Sequence, residues 1–401
     1  MKRAATALAL VLAACGQAST AQDAARVGQA PITGEQTAAA KPFTATPVAT
    51  FDAPWAMTFL PDGRLLVTEK GGTLKLVSAD GKTVVAVTGT PKVDSAGQGG
   101  LMDVVLHPKF ADNGMVYLSW SESGAGGKGV ALGRGKLVEQ VVQCIRAPCP
   151  PQVRLDGFTT IFRATPFVSG GGHYSGRIAF SPDGKHLFFT NGDRQKFDPA
   201  QAKDGTLGKV LRLNDDGTPA AANPLAAQGF RPETWSYGHR NLLGIAFDAQ
   251  GRLWNQEMGP RGGDELNLVL PAKNYGYPIV SNGDHYDGRN IPDHPTRPEF
   301  EAPKVSWNPV ISPGGLMFYS GKLFPKWQGS AFIGGLSSQA LIRVAFEGSG
   351  DGVKAREAER FDMGARIREV EQGSDGAIYV LEDGDGARLL RLTPGRGATA
   401  K

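Results

Sequence analysis

Apolar and polar positions along the chain fall into one phrase that returns six times. Each copy is a short alternating strand, a glycine-containing turn, and a second strand rich in β-branched and aromatic residues. The copies read MTFLPDGRLLVTEK (57–70), VVLHPKFADNGMVYLSWS (104–121), IAFSPDGKHLFFTNGD (178–193), IAFDAQGRLWNQE (245–257), MFYSGKLFPKWQGSAFIGGL (317–336) and VEQGSDGAIYVLED (370–383). Asp-Gly between alternating apolar residues is a strong hairpin signal. Its return predicts six supersecondary units, each burying an apolar face against its neighbours. Spacings of about fifty to eighty residues leave room for long loops between strands. The expected fold is all-β: a six-bladed β-propeller of four-stranded antiparallel sheets around a central channel. A β-sandwich competes with it, but gives no reason for one hairpin to recur.

Composition agrees with that reading. The 54 glycines and 27 prolines in 401 residues favour turns over long helices, and a 41% hydrophobic content supplies a substantial core. A formal charge of +4, with no recognisable binding motif, gives no reason to expect nucleic acid as a partner. The first residues add information of another kind. Met1-Lys2-Arg3 is basic, and Ala4 to Ala14 is an apolar run too short to span a bilayer as a mature helix. It ends in Leu12-Ala13-Ala14-Cys15, which resembles the lipobox of bacterial lipoproteins. The organisation expected is a lipoprotein-type signal peptide over 1–15, a flexible linker over 16–42, and the propeller domain over 43–396. The protein is then exported to the periplasm and anchored to the outer membrane through lipid alone. Ordinary signal cleavage near Ala18-Ser19-Thr20 is the alternative. In an oxidising compartment Cys144 and Cys149 are expected to close a small disulfide loop, being too few for a structural zinc site.

A propeller gathers equivalent loop ends from every blade at one channel mouth, so functional residues should stand at equivalent hairpin edges. Gln98 precedes the second hairpin in GQGGLMDVVLHP, and His173 precedes the third in the glycine-rich GGHYSGR. His239, Arg240 and Asn241 precede the fourth. In the sixth, Arg366 and Arg368 stand two apart on a strand and so share a face. Such a pair is either a solvated strand or a grip for a small multi-carboxylate ligand. Read alone, GPRGGDE (259–265) is an acidic turn. His107 and His186 sit within the repeated hairpins. His285 and His294 lie in a long polar loop, and His239 is expected to serve its own loop's hydrogen bonding.

Together these strings resemble the soluble, pyrroloquinoline-quinone (PQQ)-dependent aldose sugar dehydrogenases of the glucose/sorbosone dehydrogenase family. The resemblance covers roughly residues 45–395 and rests on GQGGLMDVVLHPKF, HYSGRIAFSPDG, YGHRNLLGIAF, GPRGGDELNLV, NYGYP and RIREV, in the family's order. It implies that His173 is the general base for the anomeric hydroxyl of an aldose, with C1 hydride passing to the quinone to leave a lactone. It places Arg240 and Asn241 beside the quinone oxygens, Gln98 near cofactor and substrate, and Arg366 and Arg368 on the cofactor's carboxylates. Gly259 and Pro260 match backbone carbonyl donors to a Ca²⁺ that also binds the quinone; Glu265 and Tyr275 match a second, structural calcium site. Hard oxygen donors are what that ion takes. Tyr286 and Trp307 are candidate aromatics for the mouth, with blade core as the other reading of each.

Two positions depart from the family pattern. Leu243 stands where glucose-oxidising members carry glutamine, and Ser337 stands where they carry a cofactor-binding lysine. The departures keep open a non-catalytic or PQQ-independent propeller that binds sugar or partner proteins. A calcium-dependent lactone hydrolase on the same scaffold is a further alternative, though the chain is poor in the acidic channel residues it would need.

Overall fold

The structure is a computed structural model, and it describes residues 32–33, 37–140 and 151–395. Cys15, most of the stretch assigned to the linker, Cys144 and Cys149 lie outside those residues. Nearly all regular structure is β; the longest helical piece among the described residues is a single turn, Phe110–Asn113.

Each of the six phrases forms the first two strands of a sheet. We label the opening strands β1 (Pro54–Phe59), β2 (Leu101–Leu106), β3 (Ser175–Phe180), β4 (Asn241–Phe247), β5 (Pro313–Phe318) and β6 (Ile367–Gln372). Their antiparallel hairpin partners are Leu65–Glu69, Met115–Gly124, Leu187–Asn191, Leu253–Met258, Ala331–Gly335 and Ile378–Glu382. The hairpin turns share a local device. Asp62, Asp183, Asp248 and Asp375 each accept, through the side chain, a backbone N–H two residues on. That bond is the Asx-turn which makes Asp a turn residue.

Among the described residues three sheets have four strands, one has five, one has eight, and Arg261–Gly262 with Gly283–Asp284 make a two-stranded one. In the eight-stranded sheet, parallel pairing of Val84–Thr88 with Gln152–Arg163 joins two four-stranded halves. The sheet that opens with β6 is completed from the other end of the chain: Phe43–Phe51 pairs antiparallel with Ala387–Pro394. Ile32–Thr33, inside the segment assigned to the linker, pairs in parallel with Trp307–Asn308, and the Ala39 N–H donates to Arg360 O.

The opening strands pack in succession, β1 on β2, β2 on β3, and so on to β6, which returns to β1. The arrangement is propeller-like. Stacking sheets face to face explains why second strands such as Leu65–Glu69 and Ile378–Glu382 are buried at every position, whereas the outer strand Val84–Thr88 is mostly exposed. A strand covered on both faces loses the alternation a half-exposed strand shows. Trp120, Trp254 and Trp307 are the largest wholly buried side chains. Trp307 therefore belongs to the blade core and not to the mouth, its indole N–H satisfied by Glu357 at 2.6 Å.

Candidate active site

Because β1–β6 follow one another around a ring, their N-terminal ends meet at one mouth. Each hairpin partner runs back, so its C-terminal end arrives at the same place. A cavity of about 450 Å³ lies there. Its wall takes Pro54, Gln98, Ser175, Asn241, Ser312 and Arg366 from the entries of the opening strands. Lys70, Met258, Leu336 and Asp383 come from the exits of the second strands.

His173 sits two residues before β3 with φ 50°, in the left-handed region that residues other than glycine rarely adopt. Ser175, Arg194, Gln195 and Phe197 share that conformation nearby. Such clusters persist where surrounding bonds over-determine the backbone, and here they do. The His173 N–H donates to Gln98 Oε1 at 2.7 Å, and Arg194 donates to the carbonyls of Gly170 and Gly172 while stacking on Tyr174. Gly192 passes so close that a Cβ there would stand 2.2 Å from His173 O. The imidazole is 6% exposed, and its Nδ1 lies 2.6 Å from Asp193 Oδ1. With Asp193 as the acceptor, Nδ1 carries the proton and Nε2 is left as the basic nitrogen. Burial pushes the His173 pKa below 6.5, Asp193 pulls it back, and the nearby Arg240 charge lowers it again. The net direction is down.

Asp193 also connects His173 to Arg240, since its N–H donates to Arg240 O at 2.8 Å. The Arg240 N–H donates to Glu257 Oε2, and its Nη1 donates to the carbonyls of Met258 and Gly259. Its Nε is buried without a partner. Asn241, the first residue of β4, lines the cavity and takes the Ser175 hydroxyl at 3.3 Å. His239 serves its loop as expected: its ring nitrogens meet Ser236 and Glu257, both at 2.9 Å, and the ring stacks on Tyr275.

Gly259, Pro260, Glu265 and Tyr275 line one small second cavity of about 10 Å³ with Arg240, and Met258 borders both cavities. That volume is about one water-sized sphere. The donors available are main-chain carbonyls and the carboxylates of Glu257 and Glu265, a hard oxygen set that fits calcium. Tyr275 can contribute only its carbonyl, because its hydroxyl donates to Leu268 O and accepts from Leu270 N–H. Beside Glu265, His294 Nδ1 and Asn267 Oδ1 are buried without hydrogen-bond partners, while His294 Nε2 stands 3.4 Å from Glu265 Oε1. No cluster of three His, Cys, Asp or Glu suited to a metal occurs among the described residues, so an ion here would need main-chain carbonyls beside the carboxylates of Glu257 and Glu265.

Across the main cavity, Arg366 and Arg368 both reach Asp383, at 2.8 and 2.9 Å, which puts them on one face. Tyr286 is 73% exposed, and its ring is met by the Arg240 guanidinium 5.8 Å from the centroid. It lines neither cavity. Leu243 lines the cavity with Trp55, Met102 and Tyr174, while Ser337 is exposed and does not line it. Apolar and aromatic walls with a cationic edge suit a flat acidic ring, and the volume falls within the usual range for small-ligand sites.

Several residues of the mouth were not singled out from the sequence: Lys70, Asp193, Arg194, Glu257, Asp264 and Asp383. Asp264 holds the loop at Gly259 to the entry of β5, accepting the N–H groups of Gly259, Ile311 and Ser312, and burial raises its pKa to about 7. The available signal was positional. Lys70, Asp193 and Asp383 each follow the second strand of a hairpin, in TEKGG, TNGD and LEDGD.

The model of the glucose/sorbosone dehydrogenase family matches residues 51–391. An aldose sugar dehydrogenase of Escherichia coli K12 is 39% identical over 354 residues, 86% of this chain and 90% of that protein. The crystal structure of the soluble aldose sugar dehydrogenase from Escherichia coli, in its apo form, superposes with a TM-score of 0.79 at 37% identity, covering 88% of this chain and all of that one. The PQQ-bound aldose sugar dehydrogenase of Streptomyces coelicolor gives a TM-score of 0.68 at 27% identity, over 89% of this chain and 99% of the other.

Proposed function

The chain belongs to the glucose/sorbosone dehydrogenase family, and from that membership we propose that it is a quinoprotein oxidising the anomeric C1 hydroxyl of aldose sugars to lactones. The observation that carries the reading is a cavity with a cationic edge whose wall holds Gln98, Tyr174 and Asn241, the bonded partner and chain neighbours of a buried His–Asp pair and a partly unsatisfied arginine. We count six blades in the propeller by taking the eight-stranded sheet as two, a count the closed ring of β1–β6 supports.

Bound PQQ would supply the two-electron, hydride-accepting chemistry, held through its carboxylates by Arg366 and Arg368 and flanked by Gln98, Arg240 and Asn241. The protein's own contribution begins with His173. Its Nε2 takes the proton of the anomeric hydroxyl, while Asp193 fixes the tautomer and stabilises the imidazolium that results. Arg240 presents a fixed cation, held by two carbonyls and so pre-aimed, where negative charge grows during the reaction. Calcium would bind the carbonyls of Gly259 and Pro260 with the Glu265 carboxylate beside them; the second, structural ion expected at Glu265 and Tyr275 has no separate cavity, since all four residues line the same one. Arg240 Nη1 donates to the same Gly259 carbonyl, whose second lone pair is left for the ion. We further infer export and anchoring through Cys15 to the periplasmic face of the outer membrane.

Protein supplied with PQQ and Ca²⁺ should reduce an artificial dye with glucose, galactose or maltose as donor. Stripping calcium with EGTA should abolish turnover, and readdition should restore it. Absence of dye reduction together with absence of PQQ binding would remove the reading and favour a non-catalytic or hydrolytic propeller.

A further inference from the structure

The cavity edge carries more positive charge than the two arginines recognised from the sequence. Arg366 and Arg368 share one carboxylate, Asp383. Lys70, on the same wall, makes no ion pair among the described residues; its Nζ donates only to the carbonyl of Gly97, at 2.7 Å. Three cations thus face the cavity against a single carboxylate. The backbone places Lys70 next to the arginine edge through a short chain of bonds. Its N–H donates to Ala53 O, the Ala53 N–H to Gly384 O, and the neighbouring Asp383 N–H to Arg366 O. Its own carbonyl accepts from Leu101 N–H at the start of β2, so the residue is pinned between two sheets. Gly100 crosses so closely there that a Cβ would stand 2.2 Å from Lys70 O.

We propose that Lys70 is an anion-binding residue of this site, taking a carboxylate of the acidic quinone alongside Arg366 and Arg368. The inference rests on the quinone reading above. A pinned backbone with a free ammonium head suits this role, because the head can leave a neutral carbonyl for a carboxylate at little ordering cost. A charge-assisted bond to a carboxylate is stronger than the one it replaces. Ser337, exposed and with its hydroxyl toward Val310 O, supplies no such charge. The lysine function at that position has thus been taken up by a residue from another blade.

The test is equilibrium binding of PQQ, with calcium present, to wild type, Lys70→Gln and Lys70→Arg, followed by quenching of protein fluorescence. Gln keeps a donor for Gly97 O but removes the charge, which separates charge from loop support. The dissociation constant should rise about 10- to 100-fold for Gln and stay within a few-fold of wild type for Arg. The salt dependence of binding should be shallower for Gln. Matching thermal melts of the quinone-free proteins would establish that the fold is intact. Equal affinity and equal salt dependence for wild type and Lys70→Gln would overturn the assignment while leaving the quinone reading in place. Failure of the wild type to bind PQQ at all would overturn both.

Discussion

His173 is held by three independent restraints: Gln98 on its N–H, Asp193 on Nδ1, and Gly192 packed against its carbonyl. A base so fixed has one free variable, its protonation state. Burial disfavours the imidazolium, so the pKa lies below 6.5 and the ring is neutral at neutral pH. The acid limb of kcat/KM should therefore fall below pH 6.5. Asp193→Asn removes the group that raises this pKa, so the limb should move further to acid while the plateau drops by about 10²- to 10⁴-fold as the tautomer is lost. A pH–rate profile for the two proteins decides this. A limb that moves toward higher pH would mean that another group is titrating. His173→Ala should lose turnover by at least as much while still binding quinone.

At the level of the hairpin, much was legible in the sequence and the omissions have a physical cause. The glycine-containing turns, three of them Asp-Gly, announce themselves because only a few residue types satisfy a tight turn, and all six hairpins were found from them. The third and fourth strands carry weaker signals: they lie toward the outside, as in the mostly exposed Val84–Thr88, or are extended by bulges, as in Gln152–Arg163. Entry loops also revealed themselves, since His173 and Arg240 stand in unusual glycine-rich or polar strings. Exit residues did not, because Lys70 and Asp383 look like ordinary polar residues closing a strand. Their meaning lies in antiparallel pairing, which carries each exit back to the mouth. Gly192 tests this link between element and site. Substituting Gly192→Ala forces a methyl group against His173 O, an overpacking that should cost about 1–3 kcal/mol. Denaturant melts should show that loss, together with a fall in kcat larger than any change in quinone affinity. An unaffected kcat would show that the exit does not position the base.

For the whole molecule, closure is the decisive feature, because opposed groups stay at fixed separation only while the ring is shut. The strand Phe43–Phe51 shuts it, pairing with Ala387–Pro394 and burying Phe43 and Phe51. Removing residues up to 51 exposes a sheet edge and two buried aromatic positions, each worth about 3–5 kcal/mol when truncated. Against a total stability of about 5–15 kcal/mol, that chain should lose its cooperative thermal transition by circular dichroism. An unchanged transition would mean that the ring holds without its closing strand. The central claim, that residues distant in sequence assemble one sugar-oxidising quinone site, is tested most directly by a single-turnover spectrum. Protein loaded with PQQ and Ca²⁺ is mixed with aldose under anaerobic conditions, with no dye present, and quinone absorbance is followed. The account expects rapid conversion to the reduced spectrum in wild type and, in His173→Ala, bound quinone that stays oxidised. Bound quinone that stays oxidised in wild type as well, with every aldose tried, would contradict it.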